Sequence, residues 1–192
     1  MNNSHCSTAK PLIRIIRSKR KTVSIQISSP GEVTVRAPVR MPEQEIRRWL
    51  DEKRGWIESH LEKAAQQAEA RKLLPALSPE EIRQLADAAL KQIPPRVQQR
   101  AAQIGVRYGR ITIRNQRTRW GSCSSAGNLN FNCLLMLCPD DVKDYVVVHE
   151  LCHRKEMNHS ARFWKLVGSV LPDYRTARKW LKDHGPDILA RM

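Results

Sequence analysis

Tyr145-Val146-Val147-Val148-His149-Glu150-Leu151-Cys152-His153, followed by Asn158-His159, is the stretch on which the reading of this chain turns. Val142, Tyr145, Val146, His149 and His153 recur at helical steps behind Pro139-Asp140-Asp141, a proline-and-acid start typical of a helix. On that helix His149 and His153 share a face, with Cβ atoms about 5–6 Å apart, so two imidazoles can meet on one ion. Glu150 stands one step round. That is too close to His149 for easy ligation, but well placed to reach a water on the ion.

A third ligand depends on where the helix ends. If it stops after His153, His159 can turn back, giving the spacing of a three-histidine site. Asn158, which tolerates left-handed backbone, is the residue expected to end it. If the helix continues, Glu156 falls on the ligand face instead. An exposed polar helix is a poor explanation for three histidines in eleven positions, because the chain has 6 in all. His5 and His60 read as surface residues, and His184, before Gly185, as a helix cap.

Working outward, Asn128-Leu129-Asn130-Phe131-Asn132 alternates as a strand, and Ile111 to Arg114 reads as another. Residues 22–27 and 33–37 alternate around Ser28-Ser29-Pro30-Gly31, which predicts a β-hairpin. A helix should follow Pro42 through Leu61, weakened at Gly55. A second opens at Ser78-Pro79-Glu80-Glu81 with a capping box, and Pro94-Pro95 should kink or break it. Further helices are expected over 160–170 and 173–182. Trp49, Trp56, Trp164 and Trp180 sit on helical stripes and read as core. Residues 1–10 read as a loose tail.

The chain has 192 residues and a formal charge of +15. Its longest apolar run, Cys133 to Cys138, is far too short to cross a bilayer. No secretory signal is read at the N-terminus, and five cysteines without a CxxC pair suit reduced thiols, so a cytoplasmic location is expected. Between Ala88 and Pro139 there is no acid, while Lys91 and arginines 96, 100, 107, 110, 114, 117 and 119 occur. Lys10, Arg14, Arg17, Lys19, Arg20 and Lys21 form a second basic run. A non-specific nucleic acid or another polyanion is therefore a candidate partner.

Arg119-Trp120-Gly121-Ser122-Cys123-Ser124, the strand 128–132, the segment 145–153 and Asn158-His159 to Phe163-Trp164 together resemble the YgjP-like metallopeptidases, relatives of the SprT-like and WLM zinc proteases. The likeness extends to the hairpin and to Arg54-Gly55-Trp56-Ile57, covering roughly residues 12–184. It implies an α+β, minimal zincin-like fold: an N-terminal hairpin plus helices, and a small sheet packed on the helix bearing His149. It further implies one zinc ion held by His149, His153 and His159, with Glu150 as general base. The domain expected is a single one over 11–187, with the hairpin and helices in 11–105 and the catalytic core in 106–187.

Peptide hydrolysis is the reaction expected from that site. An extended peptide substrate should pair with an edge strand beside the cleft. The strand 128–132 is the candidate, with Leu129 and Phe131 inward and Asn130 outward toward substrate. Arg119 is a second substrate-binding candidate, and the oxyanion could be met by Arg119, Tyr145, Arg162 or Tyr174. Cys152 reads as a buried thiol. Cys123 as a nucleophile is disfavoured because ligation already explains the histidines. Two other functions fit less well: a metal-dependent hydrolase of an anionic small substrate such as a nucleoside triphosphate, and a basic nucleic-acid-associated protein with a structural metal. An intact Glu150 argues against the last, since a structural site needs no base.

Overall fold

The computed structural model describes residues 11–29 and 32–192; the expected tail 1–10 and the Pro30-Gly31 turn lie outside them. Its contacts divide the chain into two units, Met1–Leu73 and Leu74–Met192. The division falls at Leu73, not near residue 105, where the sequence reading separates its two parts.

In the first unit, β2 (Ser24–Ser29) and β3 (Glu32–Pro38) form the expected antiparallel hairpin, with Ile25 opposite Val35 and Ile27 opposite Val33. A further strand, β1 (Leu12–Ser18), adds in parallel on the other side of β3, an element hidden in the sequence behind its basic residues. Val33, Val35 and Ala37 are fully buried with Ile46, Leu50 and Ile57 of the two following helices. Those helices, α1 (Glu43–Glu52) and α2 (Arg54–Lys72), replace the single helix expected. The break lies at Lys53, while Gly55 sits inside α2. Trp56 is 46% exposed and stacks on His60, so it is not core.

In the second unit, α3 (Pro79–Ile104) begins with the capping box read from sequence: Glu81 donates its N–H to Ser78 Oγ and Ser78 donates to Glu81 Oε2. It ends at Gly105, where φ is +71°. Pro94 and Pro95 do not break it. The carbonyls they deprive belong to Leu90 and Lys91, which are exposed to solvent, while Ile93 and Val97 bury completely on the opposite face. Packing outweighs the lost bonds.

Three short strands follow: β4 (Ile111–Arg114), β5 (Gly121–Cys123) and β6 (Leu129–Asn132). Their order is β4-β6-β5, with β6 parallel to β4 and antiparallel to β5. Leu129 and Phe131 are fully buried, as the alternation implies. Yet β6 is the middle strand, so the edge-pairing role expected for 128–132 is overturned. Asn132 is fully buried and donates to the carbonyls of Gln116 and Arg119, while its Oδ1 accepts from Leu134 N–H. It thereby fixes the loop leading into β5.

A 3-10 turn over Cys133–Leu137 carries the apolar run into α4 (Asp140–Cys152). Arg96 of α3 bonds both Asp140 and Asp144, and Arg100 bonds Asp144, so two arginines of the apparently unopposed basic run are neutralised here. The last helices are α5 (Ala161–Val170) and α6 (Tyr174–Ala190). The second outruns its expected end because Gly185 does not terminate it. A Cβ at that position would lie 3.2 Å from the Trp120 ring, so the glycine serves close packing. His184 accordingly lies within α6 against Trp180 and caps nothing. Among the described residues no helix is long and apolar enough to cross a membrane, and Cys123, Cys133, Cys138 and Cys152 are free thiols.

Candidate metal centre

Helix α4 ends at Cys152, and His153 caps it with φ −63° and ψ −14°. The chain then coils through right-handed turns. Arg154 donates its N–H to the Leu151 carbonyl, and Lys155 and Glu156 donate theirs to Cys152. No non-glycine residue among those described has positive φ, so Asn158 does not end the helix through a left-handed conformation. Instead its Oδ1 accepts the Ser160 N–H, and Ser160 caps α5 by accepting from Phe163 N–H. This early stop brings His159 back over α4. Glu156 is turned aside: its carboxylate pairs with Arg162 at 3.3 Å.

The donor nitrogens of His149, His153 and His159 lie within 4.8 Å of one another, a group able to hold a metal ion. His149 Nε2 and His159 Nε2 are 2.9 Å apart. His153 Nδ1 is 3.1 Å from the Glu156 carbonyl. The Nδ1–H tautomer would donate there and leave Nε2 free for the cluster. His149 Nδ1 is buried without a partner. Phe163, fully buried, touches all three imidazoles with centroids 4.7–4.9 Å away. Trp164 flanks His149 and His159 at 5.9 and 5.8 Å.

Burial sets the proton affinities. It drives the His149 imidazole down to about 3, helped by the positive potential of His153, His159 and Arg178. His159 is lowered for the same leading reason. In both, burial favours the neutral imidazole, the form that ligates. Glu150 is 6% exposed, and burial raises its carboxyl to about 8. The carboxyl lies against the backbone of β5: a Cβ on Gly121 would sit 2.8 Å from Glu150 Cγ and Oε1. Only glycine lets strand and carboxylate approach so closely.

Two hollows border more than one of these histidines. One, of about 300 Å³, is lined by Arg119, Gly121 to Cys123 and Met157 together with Glu150 and the histidines. The other, of about 490 Å³, is lined by Tyr145, Trp164 and Arg178 beside His149 and His159. Arg119 therefore lies at the rim of the first hollow. Asn130 does not: its side chain is spent within the sheet, donating to Ser122 Oγ and accepting from Arg114 Nε. Tyr145 borders the second hollow, and burial raises its phenol to about 12, keeping it a proton donor. Tyr174 stacks between Tyr145 and Trp164, and Arg162 is tied to Glu156. Cys152 is fully buried, as read. Sequence reasoning missed Gly121, Phe163 and Arg178 as site residues and took Trp164 for core. A Phe-Trp pair one turn beyond His159 was a usable signal; Arg178, on a separate helix, left none.

A family model described as YgjP-like, metallopeptidase domain, matches in two stretches, residues 21–83 and 74–184. No curated protein matches. Among solved structures, the chain is similar to the metallopeptidase zymogen abylysin of Pyrococcus abyssi, at 20% identity and a TM-score of 0.43 over 47% of this chain and 94% of that one. It is likewise similar to the metallopeptidase zymogen jannalysin of Methanocaldococcus jannaschii, at 17% identity and a TM-score of 0.43 over 48% and 95%.

Proposed function

The chain belongs to the YgjP-like metallopeptidase family, and we propose that it holds one zinc ion at His149, His153 and His159 and cleaves peptide bonds with Glu150 as general base. The observation that carries this reading is the convergence of three imidazoles beside one buried carboxylate. Three neutral nitrogen donors with a fourth position open to solvent suit a catalytic zinc. Tetrahedral bonds of about 2.0–2.1 Å put ligand nitrogens about 3.3 Å apart, near the 2.9 Å between His149 and His159. A bound zinc ion supplies the Lewis acidity that activates water and polarises the scissile carbonyl.

The remaining work falls to the chain. Glu150 accepts a proton from the attacking water and returns it to the departing amine. Burial alone favours its protonated form, and a divalent cation held by the three histidines would favour the carboxylate. β5 pairs with β6 on one side only, so its outer edge, rather than β6, can take an extended substrate. Tyr145 is a neutral donor suited to the developing oxyanion.

Elemental analysis with a casein or peptide-library digest tests the assignment. The wild type should carry one zinc per chain, and His149→Ala should carry little. Glu150→Gln should keep zinc and lose peptide hydrolysis. Full turnover in Glu150→Gln, or hydrolysis of nucleoside triphosphates but of no peptide, would defeat the reading.

One feature supports a polyanion as an additional partner. Residues 11–41 carry seven basic side chains against Glu32 alone, whereas 42–73 carry seven of each sign. Within the first unit, the basic excess of these residues thus belongs to the β-strand part. Retention on DNA should fall steeply with salt; a flat response would remove this partner.

A further inference from the structure

We propose that Arg178 is a carboxylate-binding, specificity-determining residue that anchors one end of the substrate, so that the site prefers peptides presenting an anionic group to the hollow beside Trp164. The inference rests on the peptidase reading and adds a substrate class to it.

The geometry begins with a stack. Tyr145 packs on Tyr174 at 6.5 Å with planes 17° apart, and Tyr174 on Trp164 at 5.5 Å and 15°. Phe163 meets Trp164 edge-on at 5.1 Å. Arg178 completes the series, its Cζ 4.4 Å from the Trp164 centroid. A cation–π contact through the guanidinium face leaves the N–H groups at its edge available to a two-oxygen partner, and Arg178 is exposed to receive one. No carboxylate of the described residues pairs with it. The acid nearest in sequence on its own helix, Asp183, is taken by Lys179.

The surroundings select an anion. The hollow of about 490 Å³ is lined by Tyr145, His149, His159, Trp164 and Arg178, so Arg178 is its one fixed charge. The wall shared with the metal cluster consists of His149 and His159. A bidentate carboxylate satisfies that fork in a way that water or a neutral amide does not. Two sources of the group exist on a peptide: the terminal carboxylate, and an Asp or Glu side chain near the scissile bond.

The test uses the zinc-loaded full chain carrying Glu150→Gln, so that binding is read without turnover. The probes are N-acetylated alanine-rich pentapeptides with a central Phe, made as the free acid, as the amide, and as amides with Glu next to Phe on either side. Trp fluorescence or calorimetry reports affinity. A charge-assisted pair should make one of the anionic peptides bind about 10- to 100-fold tighter than the neutral amide. Which peptide gains tells the terminal carboxylate from the side chain. Adding Arg178→Met should shrink that gap to about twofold, and Arg178→Lys should leave it intermediate. Equal affinities for all four peptides, or a gap that survives Arg178→Met, overturn the proposal. A gap present in binding while the wild type cleaves none of the peptides would sink the hydrolysis assignment and leave the anion site standing.

Discussion

The two sheets of this protein share one plan and differ in what stands beside them. In each, the last strand in sequence lies in the middle, parallel to the first and antiparallel to the second. The first sheet has strands of six or seven residues and buries only a small cluster against α1 and α2. The second has strands of three or four residues but is enclosed by the larger core of α3, α4 and α5. In the first unit, β2 turns the apolar Ile25 and Ile27 toward its helices. Its counterpart β5 turns Gly121 toward Glu150. Strand order is therefore a scaffold without chemistry of its own. The centre arises where a helix bearing donors runs against a strand bare enough to admit a carboxylate.

Glu150→Gln should reduce peptide hydrolysis on the order of 10²–10⁴-fold, the usual contribution of a general base, with zinc content unchanged. Gly121→Ala should approach the same loss, since its methyl group would enter the space of Glu150. Initial-rate assays beside elemental analysis check both. An active, zinc-loaded Gly121→Ala would break the claim that a bare strand is what separates the two sheets.

Among the described residues, the second unit alone has a buried carboxyl of strongly raised proton affinity, which gives the metal-free protein a distinctive pH response. Below the ordinary value of 4.5, Glu150 is protonated folded and unfolded alike. As pH rises toward about 8, the unfolded chain ionises while the folded one does not, so stability falls across that window. The ceiling is about 5 kcal/mol at 1.36 kcal/mol per pH unit. His149, depressed to about 3, acts in the opposite sense: its contribution is lost as pH falls below 6.5 toward 3. Urea unfolding of metal-free protein at pH 5 and pH 8 should show the alkaline decline, and Glu150→Gln should abolish it, leaving the rise with pH that the His149 contribution gives.

Ile46→Ala empties a fully buried position of the first cluster and should cost about 2–5 kcal/mol there. Zinc content should stay the same, because the histidines belong to the other core. Denaturation followed beside metal analysis checks this, and loss of zinc would tie the two units together.

How much of this was legible in the sequence varies with the range of the cause. His149, Glu150 and His153 were fixed by helical spacing, a local rule. His159 was readable only as one branch of a fork, because its placement depends on a helix stop made by hydrogen bonds rather than by a marked residue. The alternation at 128–132 announced a strand, but whether a strand is central or at an edge depends on partners far away in sequence. β5 was missed because three residues leave no period. Pro94-Pro95 and Gly185 misled for a common reason: burial of Ile93 and Val97 in one place, and the Trp120 ring in the other, overrode their local preference. Arg178 meets the centre only through tertiary packing.

The smallest effect compares the same position in the two sheets. Leu12 opens β1 and pairs with Glu32; Ile111 opens β4 and pairs with Leu129. Leu12 is 67% exposed, so Leu12→Thr keeps a strand-forming residue and removes little buried surface. Its cost should fall within about 0.5 kcal/mol, as for other surface changes. Ile111 packs against the second core, beside a partner that is fully buried. Ile111→Thr should cost about 1–2 kcal/mol, since it deletes apolar contacts and presents a hydroxyl to them. Paired urea titrations measure the difference directly. Equal costs would mean that enclosure by helices does not distinguish the two sheets; a larger cost at Leu12 would mean that the outer edge of β1 is covered in solution.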